Sequence, residues 1–318
     1  MTLVSPARRT ARSAGVLGFA PVVMRPRGDA LERHGLAALF LTPGVLLFTL
    51  FVMLPMIEAA WYSFYRWDGY GTPTNYVGLR NYLTLFGNSV FHSAMWNTAV
   101  VVLVSLLLQL PLALGLAFLI AERFAGSYLF RTIFFLPYIL GEVVAGLIWR
   151  FVFDGNFGLA AQVSRWLGVE QFYILADPSL ALMAIMVVVI WKYFGFHMMI
   201  YIAGLQDIPR ELREAAAIDG ASRWQTASRV VLPMLAPSIK VSVFFAVVGA
   251  LQLFDVIMPL TGGGPSNTTH TLVTFQYNFG ITRMNIGFGS AVGVVLFVLC
   301  IGFTLIYRRF VLRDERHA

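Results

Sequence analysis

The sequence predicts an all-α polytopic membrane protein with six transmembrane helices and a cytoplasmic helical hairpin between the fourth and fifth. Three observations carry this. Of 318 residues, 58% are hydrophobic and only 12% are charged, whereas soluble domains carry about 25% charged residues. The apolar residues fall into six windows long enough to cross a bilayer. The basic residues gather beside alternate ends of those windows, as the positive-inside rule requires.

The windows run at about 36–64, 95–121, 128–153, 180–205, 237–261 and 287–310. Residues 1–34 precede them as a basic tail and 35–318 form the transmembrane domain. The apolar run Ala14–Met24 is too short to span and contains Pro21. Arg25 and Arg27 follow it where a signal peptide would have a small-residue cleavage site, so it reads as a cytoplasmic tail. Arg8, Arg9, Arg12 and Arg33 share that tail; Arg123 and Arg131 lie in the second-to-third connection. Arg210, Arg213, Arg223, Arg229 and Lys240 lie in the fourth-to-fifth connection, and Arg308, Arg309, Arg313 and Arg316 end the chain. All of these belong on the cytoplasmic side, with both termini. The net charge of +7 is thus a topology signal and not a nucleic-acid surface. Cys300 is the only cysteine, which excludes an intrachain disulfide.

The hairpin occupies about 207–233. Asp207 can cap a helix starting near Pro209, and Gly220 supplies a left-handed stop after Asp219. Ser222 and Gln225 have capping-box spacing for a second helix, which Pro233 limits. Ala215, Ala216 and Ala217 thin the first helix so that another surface can approach its backbone, with Glu214 beside them. Pattern alone fits either an amphipathic loop on the bilayer or a docking element.

Catalytic signatures are missing from the sequence. No G-x-x-x-x-G-K-[ST] phosphate loop occurs, and Gly262–Pro265 reads as an external turn. The histidines are scattered without metal-ligand spacing, and no Ser/His/Asp arrangement stands out. Neither a cofactor nor a metal is expected, and the chain is not expected to be an enzyme.

Polar residues inside the windows are costly and mark either packing or a solute path. Tyr193, His197 and Tyr201 are four apart on the fourth window. Gly249, Gln252 and Asp255 are three apart on the fifth. The aromatic faces and hydrogen-bonding groups suit a sugar. Lys192 lies near the middle of the fourth window, and depth matching points to an ion pair with Glu142 on the third, with Asp255 as the other reachable carboxylate.

One stretch carries a family resemblance. Glu214-Ala215-Ala216, three residues, Gly220, nine residues and Val230-Val231-Leu232-Pro233 closely resemble the EAA motif of bacterial ABC importer permeases. That family usually has Ile where Val230 stands. Ser63-Phe64 with Trp67, Asn97-Thr98, Phe130-Arg131 and Leu136-Pro137 are similar to other family words. "GLQDIPRELREAAAIDGAS" and "LTGGGP" are similar to the carbohydrate branch, in particular the membrane subunits of maltose- and glycerol-phosphate-type importers. Only the first 30 or so residues lack a counterpart.

The resemblance implies that Glu214, Ala215, Ala216, Asp219 and Gly220 form a coupling helix entering a cleft on an ATPase subunit. It also implies a second homologous permease, giving a heterodimer, two ATP-binding subunits and an extracytoplasmic sugar-binding protein. The setting would be the bacterial cytoplasmic membrane and its lipid, with a carbohydrate as solute. An ion-coupled secondary transporter is the competing class; its repeated halves are not evident here. An importer of a non-sugar solute is the other alternative.

Overall fold

The computed structural model describes residues 30–121 and 126–311. Most of the basic tail, Arg123, Arg313 and Arg316 lie outside the described residues. Those described are helical, and their one β feature is an isolated bridge between Tyr65 and Tyr76. They fall into two compact units that meet between Leu54 and Pro55. The described part of the first unit is a helical run from Ala30 whose apolar side chains, from Leu39 to Leu54, are exposed, as lipid contact requires.

Among the described residues, four helices are long and apolar enough to cross a membrane: Ala38–Tyr62, Ser89–Ile120, Pro178–Asp207 and Ile286–Phe310. The count reaches six if each of two bent pairs is one span: Ser127–Ile139 with Glu142–Val152, bent by 97°, and Arg223–Met234 with Ala236–Leu251, bent by 67°. Within the second unit we label Ser89–Ile120 α1, Ser127–Ile139 α2, Glu142–Val152 α3, Pro178–Asp207 α4, Arg210–Ile218 α5, Arg223–Met234 α6, Ala236–Leu251 α7 and Ile286–Phe310 α8.

Helix α4 is the axis of this unit. At 30 residues it is about 45 Å long. Pro178 occupies its first turn and Asp177 caps it, accepting from the Ser179 and Leu180 amides. Hydrogen bonding from Ser179 holds the Asp177 carboxyl below its usual carboxylate range. One stretch of α4, from Phe194 to Leu205, packs into a cluster with Ala113 and Ala117 of α1 and with Leu235. The Ile185–Val189 stretch joins Val101, Ala250 and Leu253. Gly195 makes the α4–α2 approach possible, because a Cβ there would be driven into the Phe134 carbonyl. Small residues at such crossings let helix backbones touch where apolar burial gives no advantage over lipid.

The third and fifth windows differ from the sequence expectation of continuous helices. The third breaks at Leu140 and Gly141, both extended. Pro137 has already removed one backbone donor from the last turn of α2. The fifth ends at Leu251, after which Gln252–Val256 leave the helix and only Ile257–Leu260 forms a further short turn. Asp207 ends α4 and does not cap the next helix, whose N-cap Pro209 offers no side-chain bond. A proline already lacks the amide that such a cap would complement.

Gly195→Val should overpack the α4–α2 crossing, at a cost of about 1–3 kcal/mol or more. The melting temperature of the detergent-solubilised protein should fall clearly. Gly249→Ala is the control: a Cβ there meets nothing within 4 Å, so it should melt as the parent does.

Candidate functional site

The break between α2 and α3 bares the carbonyls that end one helix and the amides that begin the next. In hydrocarbon such groups must find partners inside the protein. Lys192, 1% exposed, supplies them at the α2 end. Its Nζ donates to the carbonyls of Leu140 (2.7 Å), Pro137 (3.3 Å) and Tyr138 (3.4 Å). A cation at a helix C-terminus is also favoured by the peptide dipoles, and a carboxylate at an N-terminus likewise. Glu142 is that carboxylate, in the first turn of α3.

Lys192 and Glu142 therefore take an indirect arrangement in place of the direct ion pair expected from depth. The ammonium is met by carbonyls, and Glu142 Oε1 accepts from the Tyr193 hydroxyl at 2.9 Å. Lys192 Nζ also lies 5.5 Å from the centroid of that Tyr193 ring. Rise along a continuous helix was the wrong measure once the third span turned through 97°.

Beside this junction lies a cavity of ≈ 380 Å³. Tyr193 and His197 of α4 line it together with Gly249, Gln252, Asp255 and Glu142, so the polar positions singled out on separate windows face one space. Gln252 and Asp255 reach it from the chain that leaves α7, not from a helical stripe. Tyr201 does not line it; it is buried in the packing cluster with Ala113 and Ala117. Tyr138 stacks on Phe196 at 4.7 Å, and Phe196 meets Phe245 edge-on at 5.8 Å, giving the cavity an aromatic wall.

Ser105 and Gln109 were not anticipated as part of this lining. Both bracket a π-helical turn within α1, Ser105–Gln109, and both are buried. Such bulges rotate side chains off the regular stripe and recur at functional sites. The available signal was a glutamine in an otherwise apolar span.

The hairpin stands largely as its residues prescribe. α5 ends at Ile218, Gly220 has φ +82°, and Ser222 and Gln225 form both bonds of the capping box. The second helix stops at Met234, one residue past Pro233. Glu214, Ala215, Asp219 and Gly220 are exposed and Ala216 is buried. Ile218 and Trp224 are also exposed, at 86% and 79%. Arg213 donates to the Leu205 carbonyl in the last turn of α4, at 3.0 Å.

Other motif words turn out to hold the fold together. Arg131 donates to the Ile120 and Ala121 carbonyls and caps α1. Asn97 Nδ2 donates to the Thr268 and His270 carbonyls, and Thr98 Oγ1 accepts from the Leu272 amide.

Residues 109–313 match the family described as binding-protein-dependent transport system inner membrane component. The chain belongs to this family. It is 34% identical over 285 residues to the sulfoquinovosyl glycerol transport system permease protein SmoG of Agrobacterium fabrum, covering 89% of this chain and 91% of that protein. It is 32% identical to the trehalose/maltose transport system permease protein MalF of Thermococcus litoralis, covering 86% and 92%. Among solved structures, one chain of a bacterial alginate ABC transporter in complex with an alginate pentasaccharide-bound periplasmic protein superposes with a TM-score of 0.79. The sequence identity is 26%, and the match covers 91% of this permease and 97% of that chain.

Lys192→Met should lower both the melting temperature and transport, because it strands three carbonyls in a dry site, at about 1–3 kcal/mol each before relaxation. Adding Glu142→Gln should not rescue it, since the lost donors served carbonyls and not the carboxylate. Thermal melts and uptake of the single and double variants check this; recovery in the double variant would restore the direct pair.

Proposed function

We propose that this permease forms one membrane half of an ABC importer and carries a carbohydrate through the cavity beside the α2–α3 break. The observation that carries this is the cavity lining: an aromatic wall from Tyr138, Phe196 and Phe245 facing polar groups of Tyr193, His197, Gln252 and Asp255. Aromatic faces match the C–H face of a sugar ring, and placed polar groups match its hydroxyls. Relatives named for trehalose/maltose and for sulfoquinovosyl glycerol support a carbohydrate solute.

Energy enters through the hairpin. The sequence lacks a phosphate loop, so ATP is hydrolysed by separate subunits, two of them by analogy with the family. A second, related permease completes the membrane core, and an extracytoplasmic binding protein delivers the sugar. The bias of basic residues supports a cytoplasmic hairpin and cytoplasmic termini. Exposed Glu214, Ala215, Asp219 and Gly220, with Ala216 at their back, form the docking surface, and Ile218 and Trp224 add apolar contact.

The hairpin is well placed to move the cavity walls. At one end α5 follows α4, which bears Tyr193 and His197, and Arg213 ties the two together. At the other end α6 leads across the 67° bend into α7, which bears Gly249. Closing the ATPases would draw the docked hairpins inward and favour the outward-facing bundle; the loaded binding protein favours the same state, and hydrolysis reverses it.

Uptake by vesicles holding the complete importer, supplied with binding protein and a sugar panel, tests this. Glu214→Lys and Gly220→Leu should each cut ATP-dependent uptake by more than about tenfold while the permease still reaches the membrane. Gly220→Leu forces a side chain into a left-handed position. Normal uptake by both variants would exclude the docking role, and failure of every sugar to enter would exclude the carbohydrate reading.

A further inference from the structure

The cavity has an electrostatic character that the sugar reading does not require. Gln109 and His197 are each 2% exposed, and Gln109 Oε1 and His197 Nδ1 are buried without a hydrogen-bond partner. Both residues line the cavity. Buried polar atoms left open in a folded protein call for an explanation, and a ligand is one. Asp255 lines the same space, and among the described residues its carboxylate has no hydrogen-bond or ion-pair partner. Glu142 brings a second carboxylate, engaged at one oxygen by Tyr193.

No lysine or arginine is part of the lining. Lys192, the nearby cation, directs its donors to three backbone carbonyls and is closed off from the cavity. The lining offers both donors and acceptors, from the Gln109 and Gln252 amides, the Ser105 and Tyr138 hydroxyls and the His197 imidazole, while its charged side chains are the two carboxylates alone. A complement must bring hydrogen-bonding groups without adding negative charge. Sugar hydroxyls do so. A carboxylate, sulfonate or phosphate adds negative charge and meets like charge at half-buried Glu142 and exposed Asp255, which is unfavourable.

We infer that this permease takes carbohydrates that bear no anionic group, with Asp255 and Glu142 rejecting acidic sugars and Gln109 accepting from a sugar hydroxyl. The inference rests on the cavity being the sugar path. It sets this chain apart in charge preference from the structurally similar transporter of alginate, an acidic polysaccharide, and from the relative named for sulfoquinovosyl glycerol, a sulfonated sugar, which shares only the carbohydrate class.

The test isolates the permease from the selectivity of any binding protein. The complete importer, in lipid nanodiscs without binding protein, is titrated with methyl glucoside and methyl glucuronide, which differ only at the sixth carbon, and binding is read by saturation-transfer NMR. The neutral sugar should bind at least about tenfold more tightly, as expected for removal of a close like-charge contact. Asp255→Asn should shrink that ratio severalfold, and Gln109→Leu should weaken the neutral sugar. Should Asp255→Asn fail to fold, raised ionic strength on the parent protein should narrow the ratio instead. A ratio near one in the parent, or one unmoved by both Asp255→Asn and salt, overturns the charge filter. If neutral sugars are nevertheless imported by vesicles, the transport reading survives that loss. Absence of binding by either sugar overturns the filter and the cavity's role together.

Discussion

The contact between the Lys192 ammonium and the carbonyls of Pro137, Tyr138 and Leu140 is the constraint on which the rest of the site depends. A transmembrane segment that turns through 97° exposes backbone that lipid cannot solvate, so it persists only where the protein supplies partners. A lysine in mid-span is itself expensive. Each cost offsets the other: the cation finds three acceptors, and the acceptors find a donor that the helix dipole favours. The turn then aims Glu142 and Tyr138 into the same cavity as Tyr193 and His197.

That cavity joins the two helices that the hairpin continues. α4 and α7 contribute opposing parts of its lining, and α5 and α6 continue from their ends. Close packing makes the linkage stiff. Gly195 lets α4 lie against the α2 backbone, and Gly204 meets Leu235 and Ser238 at the bend that leads into α7. Helices in such contact shift as discrete bodies and not by gradual deformation.

Much of this was legible in the sequence because it depends on local chemistry. The apolar windows, the left-handed Gly220 and the Ser222–Gln225 capping box follow from rules that act over a few residues. What was not legible depends on tertiary partners. Pro137 and Gly141 were visible, but a 97° turn there is stable only because Lys192, over fifty residues later, supplies the donors. The end of α7 at Leu251 and the π turn that swings Gln109 inward likewise answer to packing. The expected Lys192–Glu142 pair failed in form for the same reason: depth along a straight helix does not describe a bent one. Asp207 was a sound capping residue by type, yet it stayed within the long helix that precedes the hairpin.

The central claim is that Lys192 holds the turn between α2 and α3 at one angle. It is tested most directly by the distance between spin labels at Ile133 and Leu147, exposed positions on the two helices, after Cys300→Ser removes the native thiol. Double electron–electron resonance on the parent protein should give one narrow distance distribution. Lys192→Met should broaden it or shift it to longer distance, as a helix without its cap straightens or frays. A distribution equally narrow and unmoved in Lys192→Met would contradict the account.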